Sequence, residues 1–234
     1  MVTTAVPLSS QLVVHGLGAR PLLAAFGEHR AAEHLGYAKA IVVDGRAYLD
    51  VVGLARHAPA WLNDTVSAWS TYGLALFVVL MTIGWWLARR AGAAASVTAL
   101  AVPAVVAVAY GVDTALKLVV REDRPCQSLR VATLEACPAP GDWSFPSNHA
   151  AIAAAAAVAL LFVSRRLGAV AAVAAAAMAL SRVWVGAHYP HDVAAGVVVG
   201  VLTALVVMSA LRGRLRTLAL RLTGTRVRPL LVAP

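Results

Sequence analysis

Three short polar clusters interrupt an otherwise apolar chain of 234 residues, and each holds groups suited to phosphate chemistry. The first is Lys117-Leu-Val-Val-Arg-Glu-Asp-Arg124-Pro125. Lys117 and Arg124 are seven residues apart, so a helix persisting through the segment puts both on one face. Two cations at a helix end either anchor it at a membrane surface or bind an anion. The second cluster is Ser144-Phe-Pro-Ser147-Asn148-His149, followed at once by an Ala-rich run. Pro and Ser are ordinary capping residues, and a helix start also offers free N–H groups and a positive dipole end to a phosphate. Taken alone, this cluster fits either reading. The third is Ser181-Arg182-Val-Trp-Val-Gly-Ala-His188-Tyr-Pro-His-Asp192. Asp192, four residues after His188, is placed to accept one ring N–H, fix the tautomer and leave the other nitrogen free. Pro190 between them can open that turn. Arg182 is a permanently charged fork suited to phosphate oxygens. His191 points elsewhere on any regular turn and reads as an interfacial residue.

The elements that position these clusters are the apolar runs between them. With 60% hydrophobic residues and mean hydropathy +0.76, a soluble domain of this length would expose too much apolar surface. Runs at 66–88, 94–119, 149–164, 168–187 and 192–212 read as five membrane spans. About 20 helical residues cross the hydrocarbon, and the alternation of barrel strands is missing. The run at 149–164 is short for a span. It must begin in the headgroup layer, tilt, or lie buried among its neighbours. Ala-rich stretches at 150–158 and 169–180 suit close helix approach. Residues 10–27 are apolar but broken by His15, Gly16, Arg20 and Pro21, and read as an interfacial helix; a sixth span there would reverse the N terminus. No cleavable signal peptide is expected. The expected fold is an all-α, polytopic membrane helical bundle with five or six spans. Its parts are an N-terminal interfacial and pre-span segment (1–65), a membrane-embedded domain (66–212) and a basic tail (213–234).

A net charge of +9 invites nucleic acid, but its placement points to a membrane. Arg89 and Arg90, Arg165 and Arg166, and Arg212, Arg214, Arg216, Arg221, Arg226 and Arg228 fall on one side if each run crosses once. Positive loops face the cytoplasm, and the tail suits anionic headgroups. The loop 120–148 and the turn 186–191 are then expected outside the cell, at the plasma membrane. Cys126 and Cys137 share that outer loop and are expected to bridge in an oxidising compartment. Two thiolates without a matched His pair do not make a metal site. The sequence suggests no carboxylate cluster for one, and no cofactor is expected.

On these residues the chain resembles the type 2 phosphatidic acid phosphatases, a family that shares its site with vanadium haloperoxidases. Lys117…Arg124-Pro125 and Ser181-Arg182…His188…Asp192 match two family signatures, in order and in spacing. The remaining signature, Pro-Ser-Gly-His, departs by one residue, with Asn148 in the glycine position. Bacterial polyprenyl pyrophosphate phosphatases of the bacitracin-resistance type often carry Asp there, and residues 48–85 also resemble that type. The resemblance implies that Lys117, Arg124, Arg182, Ser147 and the Asn148 amide bind phosphate. It further implies that His188 attacks phosphorus, that Asp192 orients it, and that His149 protonates the leaving oxygen. No metal is implied, because three fixed cations stand in its place. The partners implied are a lipid-linked phosphate and the surrounding membrane lipids; oligomeric state is not legible. A polyprenyl diphosphate (undecaprenyl or decaprenyl) is the leading substrate. Alternatives are phosphatidylglycerol phosphate, phosphatidic acid and polyprenyl-phosphate sugars. A non-catalytic scaffold or transporter would tolerate loss of Arg182, His188 or Asp192, and none is lost. A soluble haloperoxidase is at odds with the apolar runs.

Overall fold

A computed structural model describes residues 44–233. The interfacial helix expected at 10–27, and with it any sixth span, lies outside the described residues. Within them the chain is helical, and no strand is present. Helix α1 (Arg46–His57) and helix α2 (Ala60–Tyr72) are separated by Pro59, whose extended backbone starts the second. Gly73, with helical angles φ −61° and ψ −23°, leads from α2 into α3 (Leu74–Ala91). A Cβ at position 73 would stand 2.5 Å from the Trp69 carbonyl oxygen and 2.8 Å from Met178 Cε. The run expected at 66–88 is therefore divided, and the helix long and apolar enough to span is Leu74–Ala91.

The remaining helices are α4 (Ala93–Val120), α5 (Pro125–Ser128), α6 (Asn148–Leu161), α7 (Arg165–Trp184), α8 (Pro190–Leu222) and α9 (Arg228–Leu231). By length and composition α3, α4, α7 and α8 can each cross a membrane. The 14 residues of α6 rise roughly 21 Å at about 1.5 Å each, short of a hydrocarbon layer of about 30 Å. This helix is the centre of the bundle. Its alanines, from Ala150 through Ala159, are buried against α8, α7, α4 and α3. Of the three readings open for the short run, burial among neighbours is the one found.

The approach of α8 to α6 sets the site. Gly196 and Gly200 share one face of α8. A Cβ on them would stand 2.4 Å from the Ser147 carbonyl oxygen and 2.3 Å from that of Ala151. Small residues let the two backbones meet and gain dispersion contacts. Their starts are then tied directly, Ser147 N–H donating to the Asp192 carbonyl at 3.0 Å.

At the opposite end α8 does not stop at 212 but continues to Leu222, carrying Arg212, Arg214, Arg216 and Arg221. The segment expected as a peripheral tail is in part docked. Trp85 Nε1 donates to the Leu230 carbonyl (3.0 Å), Arg89 to that of Pro229 (2.7 Å) and Ser96 to that of Leu231 (2.7 Å). Leu231 packs with Val97 and Ala219. Backbone acceptors and one buried leucine thus hold a segment whose charge alone suited it to lipid headgroups.

Candidate active site

Helix α4 ends where Arg121 adopts a left-handed backbone (φ 52°) and its N–H closes on the Lys117 carbonyl at 3.1 Å. The helix therefore does not persist to Arg124, and the shared face expected for Lys117 and Arg124 is not the reason they meet. Both reach the same stretch of the loop between α5 and α6 instead. Lys117 Nζ donates to the carbonyls of Trp143 (2.8 Å) and Ser144 (3.5 Å). Arg124 donates through Nε to the Asp142 carbonyl (3.0 Å) and through Nη2 to Asp142 Oδ1 (3.0 Å). At the end of α7, Gly186 takes φ 83°, a backbone that favours glycine. The N–H groups of Ala187 and His188 then both fold back onto the Arg182 carbonyl, at 3.0 and 3.2 Å. That turn presents His188 beside Arg124, just before α8 begins at Pro190.

His188 is 2% exposed and Asp192 fully buried. Nδ1 of His188 lies 3.5 Å from Asp192 Oδ2, too long for a good hydrogen bond. His188 precedes the extended N-cap Tyr189, so no helical turn joins the two, and Asp192 instead caps α8 by accepting the Tyr189 N–H at 2.8 Å. Ser144 Oγ fills the gap, donating to Asp192 Oδ2 and lying 3.3 Å from His188 Nδ1. The other ring nitrogen, Nε2, faces Arg124 Nη1 at 3.3 Å. A lone pair on Nε2 suits that donor, which assigns the ring proton to Nδ1. Burial pushes the His188 imidazole down to about 4, against the opposing pull of Asp192. The ring is neutral at pH 7, with its free nitrogen aimed toward a guanidinium.

Arg182, 6% exposed, donates from Nη1 to Glu135 Oε1 at 2.9 Å and to Ser70 Oγ. Ser147 precedes α6 without capping it; its Oγ and Asn148 Oδ1 are buried and have no hydrogen-bond partner among the described residues. The first turn of α6 thus leaves N–H groups for an anion. His149 stands in that turn. Cys126 and Cys137 are joined, their Cα atoms 5.9 Å apart. Lys117, Arg124, Ser147, Asn148, His149, Arg182, His188 and Asp192 are therefore brought to one end of the bundle. Sequence reasoning missed Ser70, Glu135, Asp142 and the bridging role of Ser144.

His191, read from sequence as an interfacial residue, makes specific contacts at the site end of the bundle. Its ring stacks with those of Phe145 and Tyr189, with centroids 5.8 and 5.4 Å away. Nδ1 lies 2.9 Å from Asp44 Oδ1, and Nε2 lies 3.1 Å from Glu122 Oε1 and 3.2 Å from Asp192 Oδ1. A carboxylate cluster thus exists where none was expected, since ligand atoms of Glu122, His191 and Asp192 lie within 4.8 Å of one another. It went unseen because its members come from distant parts of the chain. Both ring nitrogens face carboxylate oxygens, so the group is a histidine clasped between acids.

The family model of the PAP2 superfamily matches residues 98–216. Undecaprenyl-diphosphatase BcrC of Bacillus subtilis (strain 168) is 39% identical over 87 residues, 37% of this chain and 44% of that protein. Decaprenylphosphoryl-5-phosphoribose phosphatase of Mycobacterium tuberculosis (strain ATCC 25618 / H37Rv) is 37% identical over 110 residues, 47% of this chain and 59% of that protein. The chain spans about half the length of the curated relatives it matches. The crystal structure of a transmembrane PAP2 type phosphatidylglycerolphosphate phosphatase from Bacillus subtilis aligns at TM-score 0.48 and 19% identity, over 79% of this chain and 94% of that one.

Proposed function

The chain belongs to the PAP2 superfamily, and from that premise we propose that it hydrolyses a membrane polyprenyl diphosphate to its monophosphate through a phosphohistidine on His188. The observation that carries this is the placement of His188. Its Nε2 faces Arg124 at 3.3 Å while Nδ1 is turned to Ser144 and Asp192. A neutral nucleophile beside a fixed cation is what attack on an anionic phosphate needs.

Lys117, Arg124 and Arg182 hold the terminal phosphate oxygens, with Ser147 Oγ and the α6 N–H groups. Nε2 of His188 forms a bond to phosphorus as the bond to the bridging oxygen breaks. His149 gives that oxygen its proton, releasing the lipid monophosphate. Asp192 and Ser144 offset the charge of the N-phosphorylated ring. Water then attacks phosphorus as the bond to Nε2 breaks and its electron pair returns to the ring; His149 takes the water's proton, and inorganic phosphate leaves with His188 restored. The three cations supply the charge a metal would otherwise bring, so turnover is expected to survive chelators and to be inhibited by vanadate.

The site faces the extracytoplasmic side in this reading. Arg89, Arg90, Arg165 and Arg166 and the arginines of α8 all flank the opposite ends of their helices, as cytoplasmic loops require. A lipid carrier released outside the cell is then within reach. The longer alignment, to the phosphoribose phosphatase, favours a second reading in which the substrate is a phosphomonoester on a polyprenyl-phosphate sugar. Phosphate release by the purified chain from polyprenyl diphosphate, a polyprenyl-phosphate sugar phosphate, phosphatidylglycerol phosphate and phosphatidic acid separates these. No release from any of the four would defeat the phosphatase reading.

A further inference from the structure

We propose that Glu135 is a positioning residue for Arg182, held in place by Ser70 and by the disulfide-closed loop. The inference rests on reading Arg182 as a phosphate ligand. An acid beside such an arginine looks like a competitor for the phosphate, but the geometry gives it another part. Ser70 Oγ donates to Glu135 Oε1 at 2.7 Å, and Arg182 Nη1 donates to that same oxygen at 2.9 Å and to Ser70 Oγ. Helix α7, helix α2 and the loop between α5 and α6 each supply one corner of this triangle. Ser70 is fully buried. Both acceptors therefore fall on a single guanidinium nitrogen. Arg182 Nε is buried and has no acceptor among the described residues. A guanidinium binds phosphate through donors lying in one plane. Fixing Nη1 fixes that plane and leaves the Nε edge for the anion.

The loop that carries Glu135 is itself pinned. Glu135 N–H donates to the Val185 carbonyl at 3.3 Å, and Thr133 Oγ1 donates to the Glu135 carbonyl at 2.7 Å. Cys137, two residues further on, is bonded to Cys126, which is two residues from Arg124. A short covalent path and one ion pair thus run from Arg124 to Arg182. The separation of these two guanidinium groups is what a tetrahedral phosphate measures, and the loop holds it.

The test is binding of inorganic phosphate and of vanadate to the purified full chain, by titration calorimetry. Glu135→Ala is expected to weaken both by roughly ten- to a hundredfold, the loss expected when one charge-assisted hydrogen bond to the anion is misaligned. Glu135→Gln keeps an acceptor oxygen and should recover most of that loss, and Ser70→Ala should weaken binding in the same direction. Unchanged or tighter binding by Glu135→Ala would mean that Glu135 is idle or competes with phosphate, and overturns the proposal. Adding Cys126→Ser and Cys137→Ser to Glu135→Ala should cost little more than either change alone, because they act through one loop. Full additivity overturns the part assigned to the disulfide. Wild-type chain that shows the expected binding pattern yet hydrolyses no lipid phosphate supports the role of Glu135 and sinks the phosphatase reading.

Discussion

Replacing Ser144 by Ala is expected to lower kcat about tenfold, or roughly 1.4 kcal/mol in the barrier. The figure follows from who touches Asp192. Its Oδ2 accepts the Tyr189 N–H at 2.8 Å and the Ser144 hydroxyl, while His188 Nδ1 stands off at 3.5 Å. A hydrogen bond to a charged group contributes about 1.5–3 kcal/mol. It should matter most when phosphorylation makes His188 cationic and its charge must reach Asp192 through the hydroxyl. Part of the loss returns, because without Oγ the ring can close on the carboxylate directly. That relaxation puts the net effect at the lower end. The backbone of Ser144 still donates to the Glu122 carbonyl at 2.7 Å, and alanine fills nearly the same space. The assay is phosphate release at saturating lipid, with acid-quenched phosphohistidine measured in parallel. A kcat within about twofold of wild type would show that the hydroxyl carries no charge to Asp192. A loss as complete as that of His188→Ala would show that Ser144 shapes the fold rather than bridging the pair.

The low affinity of buried His188 for a proton puts the acid limb of kcat/KM near pH 4 instead of near 6.5, since protonation removes the attacking lone pair as pH falls. A limb at the ordinary histidine position would refute the burial argument. Gly200→Val forces a side chain against the Ala151 carbonyl 2.3 Å away and should cost about 2 kcal/mol or more. It should also misplace Asp192, so a variant with unchanged melting in detergent and unchanged kcat contradicts the close packing of α6 on α8. Thiol alkylation without reductant should label neither Cys126 nor Cys137, and two labelled thiols would rule the bridge out. In a background lacking both cysteines, Ala139→Cys should react with an impermeant reagent in intact cells while Arg166→Cys does not. The reverse would turn the site inward, toward phospholipid synthesis.

Membrane class was legible from composition, because no water-exposed surface accommodates runs of twenty apolar residues. Candidate ligands were legible for a related reason. Lysine, arginine and histidine are rare in such runs, so each one that interrupts them stands out. Lys117, Arg124, Arg182, His188 and Asp192 also sit at helix ends, where local periodicity still speaks. What lay between those ends was not legible. Ser144 meets Asp192 across 48 residues, Arg182 meets Glu135 across 47 and Ser70 across 112. No spacing rule reaches that far, since such contacts depend on where a loop is carried by the helices around it. Even the meeting of Lys117 and Arg124 was anticipated for the wrong cause: Arg121 ends the helix, and the loop at 142–144 gathers the two cations by its carbonyls. Helical periodicity is a property of neighbours in sequence and can be read from residue types. The partners of a buried charge are set by which segments pack side by side, and here Gly196 and Gly200 admit the close contact that decides it.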